Sequence, residues 1–158
     1  MKRKILAVLL LLGLFAGVLT GCTGEIPPAP TGNVGGEDVE FYITDSKENI
    51  PDGVIAVYQI TEIRVPAMQD TAEVYLKNPA ANAGEYYLMF ELRLPNGDDY
   101  KTLYTSNFVS PGTETPRLDL SEKLPAGEYD AVLVVTAYRM YDVTPVDNVE
   151  LPVKLITK

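Results

Sequence analysis

Apolar residues recur at every second position along much of the second half of the chain. From Glu85 to Leu94, Tyr86, Leu88, Phe90, Leu92 and Leu94 fall on one parity, while Glu85, Glu91 and Arg93 fall on the other. Side chains of an extended backbone alternate between two faces, so this period predicts a half-buried strand and not a helix. Ala72, Val74 and Leu76 alternate in the same way with Glu73, Tyr75 and Lys77, and Val149, Leu151, Val153 and Leu155 with Glu150, Pro152 and Lys154. Pro152 has no N–H to give a ladder, which predicts a sheet edge or a bulge at that point. Further strand candidates are Val39–Thr44, Val54–Ile60, Ile63–Val65, Lys101–Tyr104, Arg117–Leu120 and Tyr129–Tyr141. Turn residues separate them at Pro51-Asp52-Gly53, Asn78-Pro79, Pro95-Asn96-Gly97-Asp98, Pro111-Gly112 and Pro125-Ala126-Gly127. About seven to nine short strands spaced in this way, with no long amphipathic helix among them, predict an all-β sandwich or barrel over residues 39–158.

The N-terminal pattern is different. Met1-Lys2-Arg3-Lys4 is a basic start, and Ile5–Leu19 is an apolar run of the length of a signal-peptide core. It is short for a membrane-spanning helix, which needs about 20 apolar residues. The run closes on Leu19-Thr20-Gly21-Cys22, which resembles the lipobox of bacterial lipoproteins. The resemblance implies cleavage after Gly21, removal of residues 1–21, and acylation of the Cys22 thiol and its new amino group. Two or three acyl chains satisfy the two-signal requirement for stable membrane anchoring. Cys22 is the only cysteine of the chain, and its position favours a lipobox over an ordinary secretory signal.

Residues 22–38 continue as a linker. Pro27, Pro28, Pro30, Gly24, Gly32, Gly35 and Gly36 leave little apolar surface to bury, so a flexible tether is expected, with a mean reach of roughly 20–25 Å.

Composition narrows the chemistry. The 158 residues include no His and no Trp, which excludes Ser-His-Asp and Cys-His relays, His-ligated zinc and a histidine pH switch. One Cys permits neither an intramolecular disulfide nor a thiolate metal cage. The formal charge is −9; loss of Lys2, Arg3 and Lys4 with the signal lowers the basic count from 13 to 10 against 22 acidic residues, and the charge to −12. Nucleic acid is an unsuitable partner for such a surface. Carboxylates suitable for glycoside hydrolysis are present, but Glu91, Asp98, Asp99, Asp119 and Asp130 fall in turn-like or outward positions with nothing to raise an acid's pKa. A non-catalytic module without cofactor is therefore expected. Its partners are the membrane, through lipid on Cys22, and an extracellular or envelope protein.

Leu124-Pro125-Ala126-Gly127-Glu128-Tyr129-Asp130-Ala131 looks like the tyrosine corner of immunoglobulin-like antiparallel sandwiches, in which a Tyr opening one strand hydrogen-bonds back across the preceding turn. Ala131 stands where antibody domains have Cys, and Phe90 or Tyr86 must serve where they have Trp. Tyr129 and Gly127 are accordingly read as structural. From about Ile50 onward, Asn78-Pro79-Ala80-Ala81-Asn82, Leu103-Tyr104-Thr105-Ser106, Ser110-Pro111-Gly112, Leu120, the corner itself and Pro145-Val146-Asp147-Asn148 resemble a group of small secreted or lipid-anchored proteins of Gram-positive bacteria. Members commonly have Leu-Asn at Val146-Asp147. The likeness implies the sandwich and the cell-surface setting and carries over no functional residues. A weaker likeness, through the Pro-Gly turn and the Gly-x-Tyr step, is to the sandwich of bacterial intracellular proteinase inhibitors.

Three binding candidates remain. The ten Tyr outnumber the four Phe, and Tyr75, Tyr87, Tyr138 and Tyr141, with Met89 and Met140, fall on or near outward parities. They form either a protein-binding face, a platform for sugar rings, or only the aromatics that suit a pleated half-buried surface. The hairpin Asn96-Gly97-Asp98-Asp99 offers Asp98 and Asp99 as weak calcium ligands for an adhesion module, or is simply a turn. Residues 130–140 are apolar on both parities, so they form either a strand covered on both faces, with Val39–Ile43 as the cover, or one with an exposed stripe.

Overall fold

The computed structural model of the protein describes residues 39–46 and 49–158, and it is built mostly of β-strands. The signal segment 1–21, the acceptor Cys22 and the linker 22–38 lie outside the described residues. The expected alternation at 85–94 is realised in β5 (Tyr86–Asn96), where Leu88, Phe90 and Leu92 are fully buried and their neighbours face outward. β5 is followed by β6 (Asp99–Thr105), and the long C-terminal strands β8 (Gly127–Arg139) and β9 (Pro145–Thr157) complete most of a five-stranded sheet. Four shorter strands are β1 (Glu40–Thr44), β2 (Val54–Tyr58), β3 (Glu62–Val65) and β4 (Thr71–Ala72); β7 (Leu118–Asp119) is shorter than the Arg117–Leu120 expected. The large sheet has the order β3-β9-β8-β5-β6, and β1–β2 and β4–β7 form two small ones. The one helical element among the described residues is a 3-10 turn at Ala80–Asn82.

Not all pairings are antiparallel, as a plain antiparallel sandwich would require. β3 runs parallel to β9, with Glu62 opposite Lys154, and β1 runs parallel to β2, with Glu40 opposite Val54. The sheet is mixed because β3 lies beside the last strand of the domain, and residues 66–144, half of the chain, intervene to supply the return that parallel neighbours need. The Ala72–Leu76 alternation is also shortened. Ala72 and Leu76 are buried as the pattern demands, but Leu76 N–H donates to the Thr115 hydroxyl and Leu76 C=O accepts from Thr115 N–H, so a side chain replaces a ladder rung. At the other end, Met140 and Tyr141 lie beyond β8 in a turn and not in the strand.

One hydrophobic core joins all these sheets. Leu88, Phe90 and Leu92 of β5, Leu133 and Val135 of β8, and Ile55 and Val57 of β2 are members of a single buried cluster. Val39, Phe41 and Ile43 pack against that same cluster, so β1 covers the core side and not the outer face of β8. Phe90, rather than Tyr86, is the large aromatic at the centre: it is fully buried, whereas Tyr86 is half-buried.

The motif Asn78–Asn82 closes the core with two buried amides. Asn82 Oδ1 accepts from Ala56 N–H at 2.9 Å and its Nδ2 donates to Ala56 C=O at 2.8 Å, so one side chain occupies the edge of β2 as a neighbouring strand would. The same Nδ2 donates to Asn78 Oδ1 at 2.7 Å, and Asn78 Nδ2 donates to the carbonyls of Val109 and Tyr86. Every hydrogen-bonding demand of this buried polar pair is met within the fold.

Two open stretches of the large sheet, on β9 beyond the end of β3 and on β6, are obstructed. Lys154 N–H points to Thr61 C=O, so the backbone nitrogens of Asn148, Glu150 and Pro152 face the same open side of β9. Pro152 has no hydrogen to offer there, which explains its place in a long strand, and Asn148 N–H is taken by the Asp147 carboxylate at 2.8 Å. On the far edge, Tyr100 N–H is capped by Asp99 Oδ1 and Leu103 C=O by Ser121 N–H.

Candidate functional site

The antiparallel neighbours β5 and β8 bring three of the outward residues of the tyrosine set together. Tyr87 stands opposite Tyr138, Met89 opposite Thr136, Glu91 opposite Val134 and Arg93 opposite Val132. A residue that the outward parity did not reveal completes the cluster. Phe108 stacks on Tyr87 with ring centroids 5.9 Å apart and meets Tyr138 edge-on at 4.8 Å. It is nonetheless 46% exposed, so two neighbouring rings hold an aromatic side chain in place at the surface. Its signal in the sequence is faint. Val109, the next residue, is buried by an isolated bridge to Leu88, and this two-residue extension turns Phe108 outward.

The rest of the tyrosine set is dispersed. Tyr75, 49% exposed, belongs to residues 73–77, next to the small sheets, and is not part of the β5–β8 face. Tyr141 is 81% exposed in the turn after β8, with the Arg139 guanidinium 5.9 Å from its ring centroid, and Met140 precedes it half-buried. The planes of Phe108 and Tyr138 are inclined at 63°, so the clustered rings do not make the flat platform that sugar stacking on this face would use.

Beside the rings, the face carries a polar network. Glu91 accepts from Arg93 Nη2 at 2.6 Å and from the Thr102 hydroxyl at 2.6 Å. The Arg93 hydrogen bond above all holds the Glu91 carboxyl below its ordinary pKa, with Thr102 adding to the effect against partial burial. A carboxylate whose folded pKa is depressed stabilises the fold above its unfolded value, about pH 4.3, and that contribution disappears as pH falls through the folded value. Glu91→Gln should therefore lower the melting temperature at pH 7, and the gap between variant and wild type should close in melts run from about pH 5 down to pH 3.

The tyrosine corner is formed. Tyr129 OH donates to Pro125 C=O at 2.9 Å across the turn that opens β8. The ring lies over Gly127, where an added Cβ would meet it at 3.4 Å, in ordinary van der Waals contact. Thr157 Oγ1 also donates to Pro125 C=O, so the carbonyl stays partnered when Tyr129 is changed. Tyr129→Phe should consequently cost only about 1 kcal/mol in urea denaturation.

Asp98 follows Gly97 in a two-residue hairpin loop that the Asn96–Asp99 pair closes, with Asp99 already in β6 and Gly97 at φ 67° in the first loop position, the type II′ arrangement. Among the described residues no group of three Asp, Glu, His or Cys side chains is placed to hold a metal ion. Nor is any helix among them long and apolar enough to cross a membrane. Comparison of the chain with known protein families, with curated proteins and with solved structures gives no match.

Proposed function

We propose that the protein is a lipid-anchored component of the bacterial envelope whose β domain is a non-catalytic, immunoglobulin-like module that binds another protein through the outer face of β5 and β8. The anchor rests on the Leu19–Cys22 lipobox and the tether that follows it. The immunoglobulin-like assignment is supported by strand succession: β9, β8, β5 and β6 follow the order G-F-C-C′, β4 and β7 stand as the B–E pair, and Tyr129 makes the corner bond that opens strand F. The observation that carries the binding role is Phe108, exposed yet clasped by Tyr87 and Tyr138, with Met89 on the same strand face as Tyr87. Rigid aromatic side chains with an adjacent Met are the composition that anchors protein interfaces, since little conformational freedom is lost when they are covered.

A photo-crosslinking amino acid placed at Met89 of the full chain in cells tests this reading. A discrete adduct is expected from position 89 and none from position 75. Cys22→Ala should abolish incorporation of labelled fatty acid and, by releasing the protein from the membrane, the adduct as well. Recovery of only diffuse background from position 89 would sink the binding role, and fatty-acid labelling that survives Cys22→Ala would sink the anchor.

A further inference from the structure

We infer that the groove between residues 104–110, the end of β6 and the segment after it, and residues 113–119 is a binding site for a single neutral sugar ring. It encloses about 340 Å³, at the lower end of the range for small-molecule sites. Tyr104, Ser106, Val109 and Thr115 make a buried floor, and Asn107, Phe108, Arg117 and Asp119 stand along its rim. The site is separate from the outer face proposed to bind protein, with Phe108 alone common to both.

Charge excludes most ligands. Arg117 Nε lies 3.3 Å from Asp119 Oδ1, and Glu114 is paired with Lys77 Nζ at 2.9 Å, so each charge at the rim is already balanced. An anion finds no spare cation, and a cation finds no free cluster of carboxylates. A wholly apolar ligand would strip water from the Asn107 amide and the Thr105 and Ser110 hydroxyls, none of which has a protein partner among the described residues. The groove therefore suits an uncharged molecule with hydroxyls around its edge and an apolar face.

A pyranose ring has that distribution. Arg117 beside Asp119 presents planar donors next to acceptors, the combination that can bridge two adjacent hydroxyls of a ring. Phe108 stands on the rim, 46% exposed, and its ring is already immobilised by Tyr87 and Tyr138, so a C–H face that reaches it across the rim costs little in ordering. With contacts confined to one ring, a Kd on the order of 1–10 mM is expected.

Saturation-transfer NMR on the full chain in detergent, with galactose, N-acetylglucosamine, maltose and chitotriose as probes, tests the inference. Transfer to the ring protons of at least one probe is expected, weakened about tenfold in affinity by Arg117→Ala and retained in Met89→Lys, which alters the outer face alone. Tighter binding of chitotriose or maltose than of the monosaccharides would assign the site to the end of a glycan chain, and equal binding would assign it to a free sugar; either supports the site. Absence of transfer to all four probes, or transfer undiminished in both Arg117→Ala and Phe108→Ala, overturns it. Neither outcome bears on the crosslink at Met89, so the two readings fail independently.

Discussion

Asn82→Ala is expected to lower the melting temperature of the protein by roughly 10–20 °C, measured by circular dichroism. The substitution removes one acceptor and two donated bonds from a residue that is 1% exposed. It leaves Ala56 N–H, Ala56 C=O and Asn78 Oδ1 without partners, and Ala56 itself is inaccessible to water. Each orphaned buried group costs about 1–3 kcal/mol, and with some relaxation the sum is about 3–5 kcal/mol. A domain of this size loses about 3–5 °C for each kcal/mol. Asn82→Asp gives a second measurement. The carboxylate can still accept from Ala56 N–H, but it cannot donate to Ala56 C=O and it confronts Asn78 Oδ1. The Asp variant should thus be at least as unstable at pH 7 and recover in part at low pH, where a protonated carboxyl regains a donor. A melting temperature for Asn82→Ala within a few degrees of wild type would show that the amide pair does not hold β2 in place.

Phe90→Ala is expected to cost about 3–5 kcal/mol, seen as a fall in the urea midpoint with an unchanged slope. Phe90 is the largest of the fully buried side chains and lies opposite Val135, at the centre of the five-stranded sheet. Its backbone N–H and C=O are held by the Ser106 hydroxyl and Ser106 N–H, so the strand stays tied at that point when the ring is removed. The loss is consequently a cavity and lost burial, and Phe90→Leu, which refills most of the volume, should recover more than half of it. Equal damage from both variants would mean that ring shape and not volume is what the core requires.

The parts of this fold that could be read directly are those in which one residue's position depends on its sequence neighbours. Alternation located β5 and the C-terminal half of β9, Pro-Gly and Asn-Gly steps located the turns, and the spacing of Gly127 and Tyr129 identified a corner bond that closes over four residues. What escaped depends on contacts between distant residues. Asn78 and Asn82 read as turn residues, because nothing local indicates that their amides replace a strand against Ala56, 26 positions away from Asn82. The parallel course of β3 beside β9 is likewise a matter of where the chain returns, not of its pattern. In the candidate site, Tyr87, Met89 and Tyr138 were legible as outward residues of paired strands, whereas Phe108 was not, because its exposure is set by the bridge between Val109 and Leu88. Tyr75 satisfied the same parity rule yet lies outside every strand, beyond the end of β4, since parity assigns a face and not membership of a sheet.

The obstructed stretches of β9 and β6 matter most under the proposed lipid anchoring, in which many copies share one surface. Chains confined to a plane meet at effective concentrations in the millimolar range, where even weak edge-to-edge pairing would join them into ribbons. With Pro152 lacking a donor, Asn148 N–H occupied by Asp147, and Tyr100 and Leu103 capped on the opposite side, β9 and β6 offer few free hydrogen-bonding groups to a neighbouring copy. Under the proposed lipid anchoring, neighbouring copies should therefore not join through these two stretches.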